Sequence, residues 1–174
     1  MASILNVDQI NNAAGTSGLT LDASTGKASF PNGATLPAGS VVQVSVGTKT
    51  SQTSLASTTL TDTGLTASIT PTSSSNKILV FANITGAGVA SGDGVKMKLF
   101  RDATDLGFIS STGSYSGTGT KTDLEHGWSV SVLDTPSTTS SVTYKVQHAA
   151  TTSGTVYICG GNSISTITLM EIAP

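Results

Sequence analysis

The chain has 174 residues, a formal net charge of -2 and only 10% charged residues, so no dense basic footprint for a phosphate backbone is present and nucleic acid is not an expected partner. Its length fits one domain with an extension rather than two folded domains. Ser and Thr make up about a third of the chain, but hydrophobic residues reach 37% and gather in short β-branched runs, which places the hydroxyls on outward strand positions and in turns and argues against disorder.

The first forty residues form a sparsely charged, turn-rich arm, with Ile4, Leu5, Val7 and Ile10 as its leading apolar positions. Leu19 and Leu21 alternate with polar neighbours, Asp22 to Gly26 reads as a turn, and Ala28 and Phe30 resume the chain before Pro31-Asn32-Gly33 turns it again. Ordering a residue costs about 1 to 2 kcal/mol of backbone entropy, and a side chain returns about 1.5 to 3 kcal/mol only when fully buried. The arm is therefore expected to need other chains to hold it.

Residues 41–174 read as a run of strands: Val41 to Val46, Ser57 to Asp62, Leu65 to Thr70, Lys77 to Ile84, Val95 to Arg101, Leu106 to Ser110, Gly127 to Leu133, Val142 to Gln147, Val156 to Cys159 and Ser165 to Ile172. Short strands at regular spacing, without long helical periodicity, predict an all-β head of the β-sandwich or jelly-roll kind. The expected organisation is an arm with a short stalk over residues 1–40 and a head over residues 41–174.

Successive strand side chains point to opposite faces. Ile78, Val80 and Ala82 alternate with Leu79, Phe81 and Asn83, so this strand is apolar on both sides, and the last strand sets Ile167 and Leu169 against Thr166 and Thr168. Surplus apolar surface of this kind suits a subunit interface, and Leu79, Phe81, Ile167 and Leu169 are its candidates. Lys96, Lys98 and Arg101 are expected on one solvated strand face. The interruption from Ser111 to Glu125, with Tyr115 among Gly, Ser and Thr, is a candidate ligand loop together with the lone tryptophan, Trp128.

The sequence carries no signature of catalysis. There is no G-x-S-x-G elbow, GSYSGTG lacks the lysine of a phosphate loop, and His126 and His148 have no metal-ligand spacing to Cys159 or to each other. Asp102 with Asp105 and Asp123 with Glu125 lack an EF-hand pattern. The expectation is a protein that is not an enzyme and has no cofactor, metal or catalytic residue. Cys159, the single cysteine, excludes an intrachain disulfide and reads as a buried thiol. The first residues lack the features of a secretion signal, and no segment has the roughly 20 apolar residues of a membrane span, so synthesis in a cytoplasm without membrane contact is expected.

Two stretches carry a resemblance. ASILNVDQINNAAGTSGLTLDASTGKASFPNGATLPAGSV is similar to the amino-terminal segment of many virion proteins of tailed bacteriophages, especially those of cyanobacterial and aquatic hosts. TLTDTGLTASITPTSSSNKILVFANITG followed by KLFRDATDLG resembles the β-sandwich domain of predicted tail fibres and other surface-displayed phage proteins. The resemblance implies a homotrimer of jelly-roll heads on the virion surface, attached through the amino terminus and assembled in the host cytoplasm. It implies two roles. One is a capsid decoration or cement protein whose Ile4, Leu5, Val7 and Ile10 anchor it on the major capsid protein. The other is a short tail fibre, held by a tail adaptor or baseplate and recognising host-surface carbohydrate. A free carbohydrate-binding module is a third reading, in which Tyr115 or Trp128 contacts sugar.

Overall fold

A computed structural model describes residues 9–11, 17–21, 24–25, 28–29, 36–89, 93–113, 126–152 and 154–174. The chain divides into two compact units, Met1–Pro37 and Ala38–Pro174. In the first, β1 (Gln9–Asn11), β2 (Ser17–Leu21) and β3 (Ala28–Ser29) form a small antiparallel sheet. Ile10 in β1 is 49% exposed. Ile4, Leu5 and Val7 lie outside the described residues.

The second unit is all-β. It contains β4 (Val41–Lys49), β5 (Thr53–Leu55), β6 (Thr61–Ile69), β7 (Lys77–Val89), β8 (Val95–Arg101), β9 (Thr104–Gly113), β10 (His126–Asp134), β11 (Val142–Ala150), β12 (Val156–Ile158) and β13 (Ser165–Ile172), with a 3-10 turn at Gly160–Asn162. One sheet runs β4-β13-β7-β10, with β12 and β5 continuing it beyond β13 along β7, and the other runs β6-β11-β8-β9. Among its long strands in chain order (β4, β6, β7, β8, β9, β10, β11, β13), the first sheet takes the first, eighth, third and sixth, and the second takes the second, seventh, fourth and fifth. This interleaving of two Greek keys is the jelly-roll order, as the strand spacing predicted.

The core lies between the two sheets. Ile78, Val80, Ala82 and Ile84 of β7 and Ile167 and Leu169 of β13 meet Leu65 and Ile69 of β6, Met97 and Leu99 of β8 and Tyr144 and Val146 of β11. Each set occupies alternate positions, as a half-buried pleated sheet requires. The expected strands Ser57 to Asp62 and Leu65 to Thr70 are instead one strand, β6, preceded by a turn. Gly64, at a φ of +86°, makes a bulge there that the β11 partner registers as a skipped position. Glycine adopts this left-handed conformation without a Cβ penalty.

The sheets are joined along one side where β4 passes over β6. Ser45 Oγ donates to the Ser68 carbonyl at 2.8 Å and Gln43 Nε2 to the Thr70 carbonyl at 2.7 Å. Gly47 permits this approach, because a Cβ at that position would lie 1.8 Å from the Thr66 carbonyl oxygen. Gly47→Ala is accordingly expected to push β4 off β6 and lower the unfolding free energy by about 1 to 3 kcal/mol. Urea denaturation checks this, and an unchanged midpoint would contradict the close packing.

Candidate interaction surface

The head has two distinct ends. Gly39 N–H donates to the Ala173 carbonyl and Ala173 N–H to the Ser40 carbonyl, so the chain joins the head beside its last residues. Strand directions then send residues 50–60, 93–94, 151–152 and 154–164 to the opposite end, where Gly113 and His126 also lie. There Asp93, almost fully buried, accepts hydrogen bonds from the backbone N–H groups of Gly94, Thr151, Thr152 and Gly154 and from the Thr151 hydroxyl. Burial opposes ionisation of this carboxyl, but these donors outweigh it and hold the group well below the usual carboxylate range. The carboxylate fastens two loops to each other.

At the end where the chain joins, Glu171 is fully buried and has no cation beside it among the described residues. Gln43 Nε2 at 2.6 Å, Asn76 Nδ2 at 2.6 Å, and the Thr72 N–H at 2.7 Å and hydroxyl at 2.8 Å donate to it. Burial raises its pKa, and the four donors more than reverse that. Asp134 of β10 accepts from Arg101 of β8 and from the Tyr144 hydroxyl of β11, each at 2.6 Å, and so ties the sheets together. Arg101 thereby parts from Lys96 and Lys98, with which it was expected to share a solvated face. Its parity in β8 turns it toward the β10 sheet.

The outer faces of the two sheets differ in chemistry. The β6-β11-β8-β9 sheet presents Lys96, Lys98 and Lys145, with Lys98 paired to Asp105 and Lys145 Nζ 3.0 Å from Asp62, and Lys98 also sits over the Phe108 ring. On the β4-β13-β7-β10 sheet, registry places Val44, Met170, Leu79 and Leu133 in one row across the four strands. The next row is Val46, Thr168, Phe81 and Ser131, and the third is Thr48, Thr166, Asn83 and Ser129. Val44 is 53% exposed, Val46 59%, Leu133 55% and Phe81 42%. Between Phe81, Asn83, Ser129 and Ser131 lies a shallow depression of about 290 Å³. Large exposed apolar patches mark interaction sites, and this is the candidate site of the head.

The four expected interface residues separate. Leu79 and Phe81 belong to this outer face, whereas Ile167 and Leu169 are fully buried in the core, because β13 turns Ser165, Ile167, Leu169 and Glu171 inward. The outward positions of β13 are Thr166, Thr168 and Met170. Sequence reading missed Val44, Val46 and Leu133, although Val44 and Val46 stand at matching parity in the sequence. Trp128 is also corrected: it is half-buried and packs against the core with Val130 and Val132, not in an exposed ligand loop. Tyr115 and most of that loop lie outside the described residues. Cys159 is buried, as expected.

His148 of β11 is fully buried, and neither ring nitrogen has a hydrogen-bond partner among the described residues. Among those residues, no group of three His, Cys, Asp or Glu side chains could hold a metal ion, and no helix is long and apolar enough to cross a membrane.

The chain matches no family model and no curated protein. Among solved structures it is similar to the VP2 subviral particle of infectious bursal disease virus, at 12% identity and a TM-score of 0.36 over 88% of this chain and 41% of that one. It is similar also to structures of the Gt strain (12% identity, TM-score 0.38, 88% and 42% coverage) and the Gx strain (12%, 0.37, 88% and 46%) of that virus. The chain thus spans less than half the length of the viral chains it resembles.

Burial, with a smaller push from Lys49, lowers the His148 pKa from 6.5 to about 4. A folded-state pKa below the unfolded one gives stability that is complete above pH 6.5 and is lost as pH falls toward 4. Between pH 6.5 and 4.5 the unfolding free energy is expected to drop by about 2 to 3 kcal/mol. Thermal melts across this interval check it: His148→Leu should be nearly flat where the parent chain declines, and equal slopes would show that His148 is not the titrating group.

Proposed function

We propose that the chain is a non-enzymatic virion structural protein, a trimeric surface knob that acts as a capsid decoration or cement protein and stabilises the shell. The polarity of the head is the observation that carries this reading. Within the head, the chain enters at one end, where Gly39 and Ser40 pair with Ala173, and the loops around Asp93 and Thr151 stand at the other end. The resemblance of residues 2–41 to amino-terminal segments of phage virion proteins supports attachment through the arm, and the jelly-roll order is one that viral capsid domains use.

The mechanism would be non-covalent stapling. Ile4, Leu5, Val7 and Ile10 bury apolar surface on neighbouring capsid subunits, each side chain returning about 1.5 to 3 kcal/mol if fully covered. Three arms on one trimer turn the second and third contacts into intramolecular events and raise avidity well above that of one arm. Contacts that cross subunit boundaries then oppose internal pressure on the shell. The proposed setting is the virion surface, with the major capsid protein as partner.

The second reading, a short tail fibre or receptor-binding knob attached at a tail adaptor or baseplate, draws on the likeness of residues 59–86 and 98–107 to fibre domains. Two variants separate the readings. Deleting Met1 to Gly15 is expected to abolish binding to purified particles that lack the protein, while the head keeps its trimeric mass in solution. Particles lacking the whole protein are expected to lose resistance to heat and osmotic shock yet still adsorb to host cells. Intact, shock-resistant particles that fail to adsorb would favour the fibre.

A further inference from the structure

The outer face of the β4-β13-β7-β10 sheet has a chemistry that selects its own partner. Its three rows contain aliphatic and aromatic side chains, Ser and Thr hydroxyls and the Asn83 amide, and no charged group. Of the charges that lie on sheet faces, Lys96, Lys98, Lys145, Asp62 and Asp105 belong to the opposite sheet, and Lys77, exposed at the first position of β7, lies at the rim of this face, one row beyond Leu79. Hydroxyls and amides both donate and accept hydrogen bonds, so these three rows complement a second copy of themselves, with Lys77 left at the rim.

The rows also set the direction of the symmetry axis. Along the strands the face grades from apolar (Val44, Met170, Leu79, Leu133) through mixed (Val46, Thr168, Phe81, Ser131) to polar (Thr48, Thr166, Asn83, Ser129). A rotation axis parallel to the strands keeps each row level with the same row of the next copy. An axis across the strands would set the apolar row against the polar one and strand Leu79 and Leu133 beside Asn83 and Ser129.

We propose that three copies of the chain pack with these faces turned toward a common three-fold axis that runs along the strands. The number of copies rests on the trimeric reading above, and the choice of face and axis is the new element. Four strands at about 4.8 Å spacing make a face about 19 Å wide, and three such faces closed into a prism stand about 5.5 Å from the axis, close to half the ~10 Å separation of packed sheets. Side chains from the three copies therefore meet at the centre. At each corner the β10 edge of one copy meets the β4 edge of the next, which brings Leu133 against Val44, the two most exposed members of their row.

The test compares three proteins by sedimentation equilibrium at micromolar concentration. The parent chain is expected at three times its 17.4 kDa mass. Val46→Lys with Leu133→Lys, both at exposed positions, is expected to sediment as a monomer. Phe108→Lys, which places a charge on the opposite sheet, is expected to remain trimeric. A trimeric parent with an equally trimeric double variant would overturn the choice of face and leave the trimer standing. A monomeric or dimeric parent would overturn the trimer as well.

A second measurement does not depend on the lysine variants folding. A short bis-maleimide should join the Val44→Cys, Leu133→Cys double variant into covalent trimers, while each single variant stays unlinked and buried Cys159 stays unreactive. Trimers that remain unlinked in the double variant would contradict the corner contact.

Discussion

The alternation of side chains along β7 and β13 decides both what the head buries and what it shows to solvent. These strands lie in the middle of one sheet, and a slip of one residue would exchange every side chain between core and surface. In the register found, Ile78, Val80, Ala82 and Ile84 from β7 close the sandwich with Ile167 and Leu169 from β13. The same register leaves Leu79 and Phe81 outside, beside Met170 and Thr168. One choice of parity thus sets both the stability of the head and the character of its outer face.

Buried polar groups secure that choice. Glu171 shares the inward parity of Ile167 and Leu169, so β13 must bury a carboxylate in order to bury them. Unpaired, such a group would be expensive to desolvate. Gln43 from β4 and Thr72 and Asn76 from the segment between β6 and β7 meet it with four donors, and so draw the loop and the edge strand onto the central strand. Gly47 lets the same edge strand settle against β6. Asp93 performs the corresponding task at the far end, where it orders two loops from their backbone N–H groups. His148 differs from these groups: it is buried without a hydrogen-bond partner among the described residues, and it makes the core sensitive to mild acid.

The architecture was legible in the sequence because strand periodicity is local. Val95 to Arg101 and Ser165 to Ile172 have the bounds read from alternation, and the turn clusters separate strands in a jelly-roll order. The orientation of a strand with two apolar faces was not legible, because parity does not say which face meets the other sheet. Glu171 compounded the difficulty, since an acidic residue ordinarily marks the solvent side and its donors come from positions about a hundred residues away. Trp128 was misplaced for a related reason: its neighbours Ser129 and Ser131 point outward, which turns the indole and Val130 toward the core. The exposed row is likewise a property of four strands in register. Val44, Leu79, Leu133 and Met170 are far apart in the chain and become neighbours only through pairing.

The copy number of the chain per purified virion tests the proposed display of this head across a viral shell. Quantitative mass spectrometry against the major capsid protein should return a ratio near one or a simple fraction of it, as three-fold sites over the whole shell require. A few dozen copies or fewer per particle would confine the protein to the tail and contradict the cement role.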